Sequence, residues 1–231
     1  MREEAYAGLK FLQRRGKAPI SSFAFLAKHR KKHDSISFSR KRVTSHMLSM
    51  PQKNYLKRQQ FISLRSRLSA RLIIQQSRVF LHEAREEAAK QGVKEIGAAF
   101  LRLETFRDFD NIEADFGFFT EKPMRAHGPF QAGSLPAADY LQTNWRGSYE
   151  RMRDVHIIAI QWANHMKLGI DSRRDEKGLH FGCLLNVFKV CSLSEPDPEK
   201  WETDILFRLK KSKPGDAVEP FVHALPPRLP T

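Results

Sequence analysis

Two stretches decide the reading of this chain: NIEADFGFFT at Asn111–Thr120 and KWETDILFRL at Lys200–Leu209. With Glu113 set over Glu202 they read E-A-D-F-G-F-F and E-T-D-I-L-F-R. Both have the apolar content of a strand, and both carry an acid at the same internal place, Asp115 and Asp204. A chain that writes one acid-bearing strand twice invites a search for a repeat around each copy.

Such a repeat is present. Ahead of the first copy, QFISLRSRLS (Gln60–Ser69) alternates with Ile62, Leu64 and Leu68 on one half-buried face, as a strand does. ARLIIQQSRVFLHEAREEAAKQG then sets Leu72, Ile73, Val79, Phe80, Ala84 and Ala88 at helical spacing, and Gly92 ends it as a glycine after a helix should. GAAFLRLETF (Gly97–Phe106) is a second strand, RDFDN a turn, and IEADFGFFT the third. Ahead of the second copy, ADYLQTNWR (Ala138–Arg146) is a strand, and Ser148 caps a helix that Gly169 ends. Met152, Val155, Ala159, Trp162 and Met166 form its buried stripe, with Ile158 beside them. LLNVFKVCSL (Leu184–Leu193) and ETDILFRL (Glu202–Leu209) close the set. The expected fold is α+β: duplicated β-α-β-β repeats with pseudo-twofold symmetry and a ligand cleft between the repeats.

Composition sets the bounds. The chain has 231 residues, a length for one domain or two small ones, and 41% hydrophobic residues with 17 phenylalanines are enough for a core. No apolar run approaches the roughly 18–20 residues of a membrane helix. Cys183 and Cys191 give neither a disulfide framework nor a metal pattern, which fits a reducing, cytoplasmic setting. His127, His156, His165 and His180 have no known metal-ligand spacing, and nine residues on a helix put His156 and His165 on opposite faces. Neither a metal nor a cofactor is expected.

The net charge of +14 is uneven. Residues 1–50 hold 12 Lys/Arg against 3 acids, whereas residues 51–231 hold 28 against 23. The basic character belongs to the N-terminal segment, so nucleic-acid binding is not expected except through it. Residues 1–49, with KHRKKH at Lys28–His33 and SRKRVTSH at Ser39–His46, read in three ways: a disordered tail, an extension ahead of a true start at Met47 or Met50, or a DNA-binding arm. Their Arg-rich, Ser-rich and acid-poor make-up loosely resembles a transit peptide. Residues 50–211 are the expected domain, and residues 212–231, Pro-rich without periodicity, an expected disordered tail.

Residues two apart on a strand share a face. Asp204 therefore goes with Leu206 and Arg208, and Thr203, Ile205, Phe207 and Leu209 point to the helix-packed core. In the first copy Glu113, Asp115, Gly117 and Phe119 share one face, and Ile112, Ala114, Phe116 and Phe118 the other. The acids lie away from the core, either on a solvated outer face or as carboxylates in an aromatic cleft. In a cleft, a partly desolvated carboxylate binds a cation or has its pKa raised. Aromatic walls add about 0.5–2 kcal/mol per good cation–π contact. The candidate walls are Phe100, Trp145 and Tyr149; a core role for Phe100 and a surface position for Trp145 stand as alternatives, and Trp162 reads as core. Arg208 has two acids to pair with, Asp204 or Asp115, and pairing would favour an anionic or neutral ligand.

With the repeat laid out, the chain from about Met50 to Lys211 resembles the gyrase-inhibitor-like (GyrI-like) small-molecule-binding domain. The same family includes the effector-binding half of some MerR-type and AraC-type multidrug regulators. GAAFLRLETF resembles the family's Gly-Pro-Pro-Phe-x-Arg-Tyr strand, and IEADFGFFT its acidic-alternating strand. LPAADYLQTNWRGSYERM resembles the Leu-Pro-Ala…His-Arg-Gly-Pro-Tyr segment, and DPEKWETDILFRLK the closing Thr-Glu-Ile-x-Ile-Pro-Leu strand. Trp145 stands where the family has His, Ser148 and Arg208 where it has Pro, and Asp115 and Asp204 where it has Glu. The resemblance implies binding of a small amphipathic or cationic molecule by a ligand sensor, sequestering protein or transcription co-regulator, with Phe100, Asp115, Trp145, Tyr149 and Asp204 as ligand-binding residues. It also implies two alternatives. One is a hydrolase of strained electrophiles with Tyr149 and Asp204 as its acid/base pair; the other is an interaction factor for a protein partner such as DNA gyrase.

Overall fold

The period-two runs become strands, and the long 3.6-period run in each half becomes a helix. The structure, a computed structural model, describes residues 47–211 together with residues 218, 220 and 221. The expectations for residues 1–46, and for most of 212–231, lie outside the described residues.

In chain order the elements are β1 (Met47–Leu48), β2 (Gln52–Leu56), β3 (Gln59–Leu68), α1 (Ala70–Lys90), β4 (Ile96–Asp108), β5 (Asn111–Thr120), β6 (Phe130–Leu135) and β7 (Ala138–Arg146). A 3-10 turn at Tyr149–Arg151, α2 (Met152–His165), β8 (Ser172–Asp175), β9 (Gly178–Val190) and β10 (Glu202–Arg208) follow. The strands form one sheet in the order β1-β7-β10-β9-β4-β5-β3-β6, with β2 also on β7 and β8 on β9. Every pairing is antiparallel. The chain is an α+β protein.

Both helices cover the same face. α1 buries Leu81 and Ala84 against Leu68, Leu101, Ala114 and Phe116; α2 buries Val155, Ala159 and Ala163 against Leu141, Leu184, Ile205 and Phe207. Leu103 and Phe106 pack against both clusters and so tie them together on one side. The opposite face carries a third cluster, with Phe61, Phe100, Tyr140, Cys183, Leu185 and Leu206. The alternation read from the two acid strands is obeyed: Ile205, Phe207 and Leu209 are in the α2 core, and Leu206 is on the helix-free face.

The helix stripes differ in detail from the sequence reading. Leu72 and Val79 are 41% and 42% exposed. Each precedes a packed residue, Ile73 or Phe80, by one position, which turns it about 100° away. Ile158 on α2 and Met166 just past its end are exposed, and His156 takes a buried place on the helix instead. That helix ends at His165, before Gly169, because Lys167 adopts the left-handed conformation (φ 54°) that stops it. Ser148 caps the preceding 3-10 turn, its Oγ accepting from Glu150 N at 3.3 Å. Gly117 permits a close approach: a Cβ there would lie 2.2 Å from the Ile62 carbonyl oxygen. Strands β1, β2, β6 and β8 were not expected, because short polar runs such as SRRD carry no alternation.

Of the C-terminal residues that are described, Phe221 is buried. Its ring stacks on Phe181 with centroids 6.1 Å apart, and Asn164 holds its backbone at both ends, Nδ2 to O at 2.9 Å and N to Oδ1 at 2.8 Å.

Candidate functional site

The helix-free face holds a cleft of about 360 Å³. Its floor is apolar: Leu185 and Val187 from β9, Leu206 from β10 and Tyr140 from β7, with Phe119 and Ala98 on the β5 and β4 side. Two chain crossings wall it. One is the β2–β3 connection, which contributes Leu56, Lys57 and Gln59; the other is the β6–β7 connection, with Leu135 and Pro136. Since β2 pairs with β7 while β3 pairs with β5 and β6, each crossing passes from one side of the sheet to the other over the cleft. Gln142 and Asp204 make its polar end.

Asp204 is 6% exposed and well supplied with donors. Gln142 Nε2 donates to Oδ2 at 3.1 Å and Asn144 Nδ2 to Oδ1 at 2.8 Å, while Lys189 Nζ lies 2.8 Å from Oδ2. Gln142 is itself oriented, because its Oε1 accepts from Asn54 Nδ2 at 3.0 Å. The register explains the set: Asp204 faces Asn144 across the β10–β7 pairing. These partners were not singled out from the sequence, since each comes from another strand and none stands near Asp204 in the chain.

Asp115 meets a different fate. It is fully buried, and its register neighbours on both sides are arginines, Arg65 on β3 and Arg102 on β4. Arg65 Nε donates to Oδ1 at 2.8 Å, and Arg102 donates to Oδ2 through Nε at 3.0 Å and Nη2 at 2.5 Å. Burial pushes the Asp115 carboxyl up, but the Arg65 hydrogen bond and the Arg102 charge together hold it below the usual range. Glu104 shares the cluster through Arg102 Nε at 2.6 Å, and its carboxyl is raised by burial. Arg102 also lies over the Phe61 ring, 4.7 Å from its centroid.

Arg208 pairs with neither of the acids considered for it. It binds Asp171, Nε to Oδ2 at 2.7 Å, beside Gly182, where a Cβ would collide with both side chains.

The other sequence candidates are dispersed. Phe100 is fully buried under the cleft face, edge-on to Phe61 at 5.8 Å and 4.9 Å from Phe119. Trp145 packs in the α2 core, its indole donating to the Ser148 carbonyl at 3.1 Å. Tyr149 sits against Trp201 at 4.4 Å and Phe188 at 5.4 Å, and Phe188 packs with the α1 cluster. Tyr149 and Asp204 are therefore on opposite faces of the sheet. Burial raises the Tyr149 hydroxyl well above its ordinary value. Of the five residues proposed from the sequence, Asp204 alone lines the cleft, and Phe100 lies beneath it.

Chemistry outside the cleft is muted. Burial pushes the Cys183 thiol up to about 11, which disfavours the reactive thiolate at neutral pH. Thr105 Oγ1, His180 and Asp175 form a chain at 3.1 and 2.8 Å by the β8–β9 hairpin, but Arg173 takes the second Asp175 oxygen at 2.7 Å and none of them lines the cleft. Among the described residues no group of three or more His, Cys, Asp or Glu is placed to hold a metal ion. Among the same residues, no helix is long and apolar enough to cross a membrane.

No family model and no curated protein matches this sequence. Solved structures do share its fold. The C-terminal domain of EcmrR superposes with a TM-score of 0.55 at 14% identity, over 71% of this chain and 98% of that one. EcmrR in its complex with DNA gives 0.53 at 13% identity, over 74% of this chain and 60% of that one, so this protein corresponds to only part of that length. An uncharacterized conserved protein from Listeria innocua gives 0.53 at 10% identity, over 69% of this chain and 92% of that one. At such identities the likeness is one of fold.

Proposed function

We propose that the chain is a small-molecule-binding module of the GyrI-like kind, taking an amphipathic molecule into the cleft on the helix-free face. One observation carries this reading: an apolar cavity of about 360 Å³ with a nearly buried carboxylate network at one end. That size is within the roughly 300–1,000 Å³ of small-molecule sites, and the mix of apolar floor and few polar groups is theirs too.

The strand order supports a duplicated architecture with pseudo-twofold symmetry. Outward from the central β4–β9 pairing it runs β4-β5-β3 on one side and β9-β10-β7 on the other. Each trio is the second, third and first strand of one β-α-β-β unit. On this reading the cleft lies where the units meet, and its occupant touches both. The shared fold with EcmrR, a protein seen bound to DNA, supports a ligand-sensing or transcription co-regulator role over simple sequestration. An organic cation reaches the Asp204 carboxylate only by displacing Lys189, whose half-exposed side chain is free to swing outward. The hydrolase alternative with Tyr149 and Asp204 as a pair finds no support, because the sheet separates the two groups.

The test is a thermal-shift screen of the full chain against small amphipathic compounds, lipophilic cations included, run beside Ala98→Trp. Ala98 is an exposed residue of the cleft wall, so the larger side chain fills the cavity with little cost to the fold. Compounds that stabilise the protein should lose their effect in the variant. Stabilisation that survives it would put the binding elsewhere. A folded protein that no compound stabilises would remove the reading.

A further inference from the structure

The charges around the cleft say more about the occupant than its shape does. Two of the lining residues carry charge, Asp204 and Lys57. Asp204 is already occupied: three donors converge on its two oxygens, and one of them is an ammonium. A carboxylate offers about four lone-pair sites, so little acceptor capacity remains. Gln142 cannot reorient cheaply, because Asn54 fixes the other end of its amide. Four further acids are held by internal cations: Asp115 by Arg65 and Arg102, Glu104 by Arg102, Asp171 by Arg208 and Asp139 by Lys53. Lys57 differs. It lies on the β2–β3 crossing and has no hydrogen-bond or ion-pair partner among the described residues.

We infer that the cleft selects amphipathic monoanions: an apolar body on Leu185, Val187, Leu206 and Phe119, with a carboxylate-type head group at Lys57. This rests on the binding function proposed above and deepens it. An entering cation meets no vacant counter-charge among the residues that line the cleft and reaches Asp204 only by displacing Lys189, so it gains at most the exchange of one ammonium for another. An entering anion meets a lysine that has nothing to give up. Lys189 and Asp204 neutralise each other, which leaves the Lys57 charge unbalanced among the lining residues, and its field favours an anionic ligand. A single lysine, a point charge without the planar fork of arginine, suits one negative charge better than a bidentate phosphate site would require.

Three probes built on one naphthyl-alkyl body and ending in a carboxylate, an alcohol or an ammonium decide the matter. They would be titrated calorimetrically into the full chain and into Lys57→Gln, an exposed substitution whose Tm should be unchanged. The carboxylate should bind up to about fivefold tighter than the alcohol, the scale of an exposed ion pair, and the ammonium weaker than the alcohol. Lys57→Gln should erase the carboxylate's advantage and leave the alcohol's affinity alone. An ammonium that binds as well as the carboxylate, or a carboxylate advantage that survives in Lys57→Gln, overturns the inference while the cleft remains a binding site. If none of the three binds, the cleft reading itself fails and the inference with it.

Discussion

Arg65 Nε lies 2.8 Å from Asp115 Oδ1, and the β3–β5 register makes the two residues direct neighbours although the chain separates them by 50 positions. With Arg102 on the other side, the pair turns the most suggestive acid in the sequence into a structural tie between β3, β5 and β4. It holds the floor beside the cleft and offers no carboxylate to a ligand.

Asp115→Asn should therefore unfold the protein more readily without altering the cleft's preference for one charge over the other. Removing one partner of a buried ion pair leaves the other uncompensated and costs on the order of 3–5 kcal/mol. The sign with pH follows from the depressed carboxyl. A folded pKa below the ordinary value of 3.8 gives stability that is present above that pH and is lost as pH falls through the folded value. Glu104 has the opposite sign: its raised carboxyl contributes most below 4.5 and loses that contribution as pH rises. Urea denaturation at pH 7 and pH 3.5 should show the Asp115→Asn deficit shrinking in acid, with Glu104→Gln costing under about 1 kcal/mol at pH 7.

His156 predicts a second acid transition. It is buried in the α2 core, its Nε2 2.9 Å from Asn186 Oδ1, and its pKa is pushed down to about 4, by burial against a smaller opposing effect of that hydrogen bond. A depressed folded pKa gives stability that is complete above the unfolded value of 6.5 and fades as pH falls toward 4. The loss should reach about 3 kcal/mol. His156→Gln keeps a donor for Asn186 and removes the titration, so its stability curve should be flatter than that of the wild type between pH 6.5 and 4. Parallel curves would show that another group drives the transition.

Phe221 should behave as a core residue despite the proline-rich sequence around it. Phe221→Ala deletes a buried ring stacked on Phe181 and should cost about 3 kcal/mol. Asn164→Ala should cost about 1–3 kcal/mol, because two backbone groups lose their partner. Both effects are measurable as a lower Tm. A Phe221→Ala protein as stable as the wild type would mean that the ring does not hold its place in solution.

Much of the fold was legible in the sequence, and the reasons are local. ADYLQTNWR was placed at Ala138–Arg146, where β7 is found, and both helices and the two acid strands lie within a few residues of their expected bounds. Strong alternation and strong 3.6-residue periodicity survive any tertiary setting, because they decide which side chains leave water. The edge strands β1, β2, β6 and β8 were missed for the converse reason. A strand held by backbone pairing to one neighbour needs no apolar alternation, and SRRD shows none.

The candidate site was far less legible. Asp204, Trp145 and Tyr149 were grouped on strand alternation and family likeness, yet Trp145 and Tyr149 pack on the helix side while Asp204 turns to the cleft. By itself the sequence determined the two helices, the six strands of the two repeats, their order and the face on which each strand acid lies, because backbone geometry alternates side chains whatever packs against them. The tertiary structure alone decided how each acid is held. Strand register, a long-range property, set Arg65 and Arg102 on either side of Asp115 but placed Asn144 and Val187 across from Asp204. A carboxylate's chemistry depends on the charges within a few ångströms of it, and those come from strands the chain reaches only by folding.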